Sequence, residues 1–391
     1  MTPEADTNLK ISGVTRVSPS RFAYLRSCAL YEACRSAGQS PLLPRSPLSQ
    51  IGAIAHRLLE RAAKGEFAEA RMVELAWDEM VERAEERMKV SPLDCRFVPL
   101  RQAVRQYEVL RIQACRKAEW ISTNVAEASR FPTPTIGHTK QFEVLLQSED
   151  GTVGGYVDYL EETSEGAIIR DYKTGAILDT AELESQPRVK AAYAVQLHLY
   201  AALYWSSHGR WPNRLELVPL LGPAVVVPFE SAECLDLLQQ AKQTLRSINF
   251  KIRTIIAEHR SIAELATPSG EACRFCEFRP GCEAYWDRRA DIDSSEWPID
   301  VRGRVVRQKT FSAGTTTIEL ESAEDGARYR VTGLRVARYP TLGGNREGSF
   351  LAVYNLRRQA APATFSDTTL TAMYLVAAVA EKGQPRGAIR A

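Results

Sequence analysis

The chain has little of what usually announces a function. No run of about 18 apolar residues occurs, which excludes a membrane-spanning helix, and the opening "MTPEADTNLK" lacks the basic-then-apolar layout of a secretory signal. Both absences predict a cytosolic protein that does not enter a membrane. Net charge is nearly absent as well. The 50 Lys and Arg against 48 Asp and Glu leave +2, so any polyanion would be met by a local basic feature rather than by the whole surface. No GxxxxGK[ST] phosphate loop is present, so the chain carries no ATP-driven motor of its own. Internal repeats and low-complexity tracts are missing too. The remainder is ordinary and globular, 45% hydrophobic and 25% charged, and 391 residues suffice for two or three domains.

Hydrophobic spacing divides the chain. Residues 1–65 read as N-terminal helices: "SPSRFAYLRSCALYEACR" as one amphipathic helix carrying Cys28, then "IGAIAHRLLERAAKG" with His56, stopping at Gly65. Residues 66–135 read as a helical insertion broken near "VSPLDCRFVP". From Lys140 the period changes from about 3.6 to 2, and "KQFEVLLQ", "GTVGGYVDYLEE" and "GAIIRDYKTG" predict three strands joined by tight turns. The helix "VKAAYAVQLHLYAALYWSSHG", the strands "RLELVPLL" and "AVVVPFE", and a helix from Ala232 to Glu258 complete a domain over 136–295. The expected class is α/β, a mixed central sheet flanked by helices. Residues 296–391 alternate in short strands and predict a small β domain compatible with an OB-like barrel, with Tyr329, Tyr339, Phe350 and Tyr354 either stacking residues or core.

Of the eight cysteines, "CRFCEFRPGC" places Cys273, Cys276 and Cys282 at the spacing C-x2-C-x5-C. In a reducing compartment such a cluster reports metal or redox chemistry rather than disulfides. A fourth ligand must come from elsewhere, and zinc and iron–sulfur remain alternatives. Cys34, Cys95, Cys115 and Cys234 stand singly and read as core residues.

In "AIIRDYKTG" alternation puts Asp171 and Lys173 on one strand face and Arg170 and Tyr172 on the other. A surface ion pair is the bland reading. Asp171 ends an apolar run, however, where a lone charge would be costly without a partner, and Asp158 lies in the middle of the preceding apolar strand. Two carboxylates on neighbouring strands suit Mg2+ or Mn2+, with an adjacent lysine to orient water, and phosphodiester hydrolysis is the natural reaction.

The arrangement resembles the PD-(D/E)XK nuclease superfamily, with Asp158 as the acid and "DYK" as D-x-K. The flanks resemble its RecB-like branch: His56 in "GAIAHRLLE" before the sheet, Gln196 and Tyr200 in "VQLHLYAALY" after it. The resemblance implies a restriction-endonuclease-like core. It implies that His56, Asp158, Asp171 and the Tyr172 backbone carbonyl hold Mg2+ or Mn2+, that Lys173 positions the attacking water, and that Gln196 and Tyr200 lie beside the active site. Glu143 sits where some relatives place a further acid. The alternatives are a core histidine at 56, a packing stripe of Tyr193, Gln196, Tyr200 and Tyr204, and an ordinary strand charge at 143. AddB-like and CRISPR-associated exonucleases of this branch carry one cysteine before the core and three after it. "SPSRFAYLRSC" is similar to the upstream motif, so the resemblance implies Cys28, Cys273, Cys276 and Cys282 around a 4Fe-4S cluster that staples the domain, with zinc as the competitor. It implies DNA, as ends or single strands, as substrate, and allows a separate helicase or other subunit as partner. The competing class is a nuclease-like scaffold that grips DNA without cutting.

Overall fold

The computed structural model describes residues 8–130, 139–179, 188–289 and 297–376. The expected boundaries at 135/136 and 295/296 lie outside those residues. Contacts group the described residues into two compact units, those within Ile11–Ala37 and Arg45–Leu265, and those within 8–10, Gly38–Pro44 and 266–376.

In the first unit the period-2 segments form β1 (Thr139–Gln147), β2 (Gly154–Thr163) and β3 (Gly166–Lys173), an antiparallel meander. β3 then pairs in parallel with β4 (Arg214–Pro219), which turns back into the two-residue β5 (Val225–Val226). The sheet order is therefore β1-β2-β3-β4-β5, mixed as expected. A parallel pair needs a crossover, and α6 (Ala191–His208) supplies it. Leu197, Ala201 and Tyr204 of α6 are buried with Val157, Ala167 and Ile169 of the sheet, so one apolar layer holds helix to strands. Gly209, left-handed at φ 67°, ends the helix. Gly155 permits the close fit. A Cβ there would lie 3.0 Å from Pro19 and 3.1 Å from the Tyr200 hydroxyl.

The N-terminal segment departs from the single helix expected. α1 (Phe22–Ser27) and α2 (Ala29–Ser36) are separated by Cys28, whose backbone is extended at φ −157°. Arg21 spans the elbow with two hydrogen bonds to the buried Glu32, 3.1 and 2.5 Å long. That bidentate pair holds a bend which helical spacing alone does not reveal. α3 (Pro47–Ala63), α4 (Ala70–Lys89) and α5 (Tyr107–Arg130) form the helical insertion with its entry helix, broken between 90 and 106 as the sequence suggests. Its centre is the fully buried Trp77, whose indole donates to Tyr107 Oη at 3.0 Å. α7 (Ser231–Ala257) closes the unit.

The second unit holds a sheet of seven strands, β6 (Val301–Thr310), β7 (Thr315–Ser322), β8 (Arg328–Arg335), β9 (Phe350–Tyr354), β10 (Arg357–Arg358), β11 (Thr364–Ser366) and β12 (Ala372–Leu375), in the order β10-β11-β8-β7-β6-β9-β12. This differs from the five-stranded barrel of an OB fold. Tyr329, Tyr339 and Tyr354 are buried in its packing, which removes them as exposed stacking residues. The cysteine-bearing segment, grouped by sequence with the α/β domain, packs here instead. Cys273, Tyr285 and Trp286 share a core with Ala352 and Tyr354. Arg279 explains the attachment. Only 1% exposed, its guanidinium donates to Asp300 (2.9 Å), Asn355 (2.6 Å) and the carbonyls of Cys273 (2.7 Å) and Cys276 (3.3 Å). Of the four lone cysteines, Cys34, Cys115 and Cys234 are buried as expected, whereas Cys95 is exposed on a short helical turn.

Candidate active site

Alternation along β3 buries Ala167, Ile169 and Asp171 on one face. The first two are core; Asp171 carries the same face beyond the apolar layer and is still only 4% exposed. The β2–β3 ladder is paired as far as Tyr159 and Arg170. One step further, Asp158 Oδ2 accepts a 2.7 Å hydrogen bond from the Tyr172 backbone N–H, so a side chain continues what the backbone ladder leaves off.

α3 approaches from the other side. Its His56 Nε2 lies 3.2 Å from Asp158 Oδ2, and its Nδ1 lies 2.6 Å from Glu60 Oε1 one turn along. Burial disfavours charge on the imidazole, but hydrogen bonds and the charges of Asp158 and Glu60 outweigh it and raise the His56 pKa to about 10. An imidazolium thus sits between two carboxylates. Among the described residues, His56, Glu60 and Asp158 are the side chains grouped at the spacing of a single metal ion.

Asp171 is held differently. Gln196 of α6 donates from Nε2 to Asp171 Oδ1 at 2.6 Å and accepts through Oε1 from Lys173 Nζ at 2.9 Å. Lys173 Nζ stands 2.6 Å from Asp171 Oδ2, a close ion pair on a buried oxygen. Burial, with the neighbouring Asp158 charge, lifts the Asp171 pKa to about 6 against the opposing pull of Lys173 and His56. Lys173 also lies 4.7 Å above the Tyr193 ring.

The imidazole of His56 with the carboxylates of Asp158 and Glu60 fits a divalent cation in the chemistry of its donors, and the buried Asp171 on the neighbouring strand stands outside that single-ion grouping. Of the expected residues, His56 contacts Asp158, and Asp171, Lys173 and Gln196 form a second linked set. Tyr172 contributes its backbone. The Tyr200 hydroxyl donates to the Tyr156 carbonyl at 2.6 Å and also meets Gln196, within the field of Asp171 and Asp158; Tyr204 donates to Glu162 at 2.8 Å, so both phenols bind helix to β2. Glu143 stands where β1 would face Asp158, its φ is +48°, and its carboxylate pairs with Lys64 at 2.5 Å and also meets Glu60, the partner of His56.

The model of the PD-(D/E)XK nuclease superfamily matches residues 16–283, more than half of the chain. The chain belongs to the PD-(D/E)XK nuclease superfamily. No curated protein matches it. Among solved structures, the crystal structure of SSO0001 is 14% identical, covers 46% of this chain and 78% of its own, and has a TM-score of 0.21, too low to carry an argument.

For a nuclease of this superfamily, the residue that sequence reasoning missed is Glu60. Its signal was available in "HRLLE", because a carboxylate four residues after a histidine shares its helix face. By fixing Nδ1 it leaves Nε2 directed at Asp158, the carboxylate–histidine arrangement that orients metal ligands. The cysteines are not grouped at single-ion spacing among the described residues. Cys28 belongs to the nuclease unit, and Cys273, Cys276 and Cys282 to the other. No described helix is long and apolar enough to cross a membrane.

Proposed function

We propose that the chain is a divalent-metal-dependent deoxyribonuclease acting on DNA ends or single strands. The observation that carries this is the meeting of Asp158 with His56 at 3.2 Å and with the Tyr172 N–H at 2.7 Å, beside a strand whose buried Asp171 is paired with Lys173 at 2.6 Å. His56, Asp158, Asp171 and the Tyr172 carbonyl would hold Mg2+ or Mn2+, and the imidazole favours Mn2+ relative to an all-oxygen set. When bound, such a cation polarises the scissile phosphate and makes hydroxide available near neutral pH. Lys173 orients the attacking water and steadies charge on the phosphate. Gln196 holds Lys173 and Asp171 in register through its two hydrogen bonds, and Glu60 fixes the ring of His56.

The spacing of Cys273, Cys276 and Cys282, with Cys28 upstream, supports a 4Fe-4S cluster as a structural staple, four thiolates being the donor set of such a cluster. The sequence contains no phosphate loop, so any strand separation by ATP would fall to a separate subunit.

The test is cleavage of end-labelled single-stranded and duplex DNA with Mn2+, alongside Asp171→Ala and Lys173→Ala. Metal-dependent cleavage abolished by both substitutions is expected; none in the native chain would leave only a DNA-gripping scaffold. For the cysteines, anaerobic purification should give stoichiometric iron that Cys276→Ser loses, and zinc in its place would overturn the iron assignment.

A further inference from the structure

A cavity of 1110 Å3 lies against the sheet of the nuclease unit, lined by strand side chains that alternate with Asp171 and Lys173. Alternation along β2 and β3 makes it so. Tyr159, Arg170 and Tyr172 line the cavity, whereas Asp158, Asp171 and Lys173 do not. Residues of α5 line it too, among them Trp120, 59% exposed although an indole of that size is usually well covered.

Its charge is uneven. Four cations line it against two carboxylates, and the carboxylates are already engaged: Arg170 donates to Glu216 at 2.6 Å and to Glu161 at 2.8 Å, and Arg214 reaches Glu216 at 2.8 Å. Arg116, Lys117 and Lys140 make no salt bridge among the described residues, and the Glu161 that stands opposite Lys140 on the β1–β2 ladder is taken by Arg170. Lys117 lies 4.9 Å over the Trp120 ring, where burial lowers its pKa, so its ammonium lacks both full hydration and a counter-charge. Phe142 and Tyr159 add two more aromatic rings, with centroids 5.0 Å apart. An apolar peptide would leave the three cations unanswered. A single strand presents phosphates and bare base faces in alternation, which answers both features at once.

The position suits the same ligand. β4 runs parallel to β3 with Pro219 beside Lys173, and the segment Leu220–Ala224 that follows β4 lines the cavity. Cavity rim and catalytic lysine therefore share one end of the sheet.

We infer that this cavity receives single-stranded DNA, a base stacking on Trp120 and the phosphates pairing with Arg116, Lys117 and Lys140. The choice of ligand rests on the nuclease reading of the same unit. The experiment is equilibrium binding of a fluorescein-labelled oligothymidylate to the full chain in EDTA, where no metal-dependent cleavage occurs. Trp120→Ala should weaken binding about tenfold, one stacked base being worth ~1–3 kcal/mol. Lys117→Gln with Lys140→Gln should weaken it further and lower the dependence of log affinity on log salt by roughly 1.4, at about 0.7 per phosphate contact. All three side chains are at least partly exposed, so the variants should fold. Unchanged affinity in both variants overturns the site, as does a native chain that fails to bind the oligonucleotide. Duplex binding that equals single-strand binding and shares its Trp120 dependence overturns it as well. Cleavage is scored separately. Trp120-dependent binding without any Asp171-dependent cleavage removes the nuclease reading and keeps this site; cleavage with Trp120-independent binding does the reverse.

Discussion

The Lys173 ammonium stands 2.6 Å from Asp171 Oδ2 and yet donates its aligned hydrogen bond to Gln196 Oε1 at 2.9 Å. The lysine therefore sets its charge against the buried acid while Gln196 fixes its position. Lysine positioning is separable from the His56–Asp158 contact, which involves neither Lys173 nor Gln196.

Replacing Lys173 by Met should then lower the cleavage rate by about 10²- to 10⁴-fold, the range of a positioned proton-transfer or water-orienting group, while Mn2+ affinity measured by calorimetry stays the same or rises. A loss of Mn2+ binding in step with activity would show that the lysine serves only to build the metal site.

Gln196 is 5% exposed and is spent on both partners. Gln196→Leu leaves a buried carboxylate and an ammonium each short of one partner, at about 1–3 kcal/mol. Urea unfolding should show an earlier midpoint with an unchanged slope, and Gln196→Glu should not restore the midpoint, because it adds a negative charge beside Asp171.

Metal affinity should rise with pH. The His56 pKa is raised to about 10, so near neutrality the imidazole is protonated and a cation must displace that proton. Below about pH 6 the Asp171 carboxyl also holds a proton, which steepens the dependence there. Calorimetry in two buffers of different ionisation enthalpy should report close to one proton released per Mn2+ at pH 7.5. His56→Gln should abolish that release, and a pH-independent affinity in the native chain would contradict the assignment of His56 as a ligand.

Arg279 and Asp300 are 1% and 0% exposed and satisfy one another. Breaking a buried pair by removing one partner costs about 3–5 kcal/mol. Arg279→Met should destabilise the C-terminal unit by that order and, by freeing the carbonyls of Cys273 and Cys276, speed the reaction of these thiols with a disulfide reagent. An unaltered unfolding midpoint would show that the guanidinium is not what holds the cysteine segment.

Short-range pattern was enough for several of these features. Period-2 spacing after Lys140 located β1 to β3, and alternation alone put Asp171 and Lys173 on one face, because adjacent side chains of a strand must point to opposite sides. The break in the helical insertion and the α/β order were legible for the same reason: sterics between near neighbours decide them. Glu60 was legible in principle, one helical turn from His56. Other features depend on segments far apart in the chain. Sequence spacing cannot set His56 against Asp158, 102 positions later, nor place Gln196 between Lys173 and Asp171; burial of α3 and α6 on the sheet does that. The elbow at Cys28 depends on Arg21 reaching Glu32, and the attachment of the cysteine segment to the C-terminal sheet depends on Arg279 reaching Asp300. Each is a long-range pairing whose partners are chosen by which surfaces exclude water together, and no local periodicity records that choice.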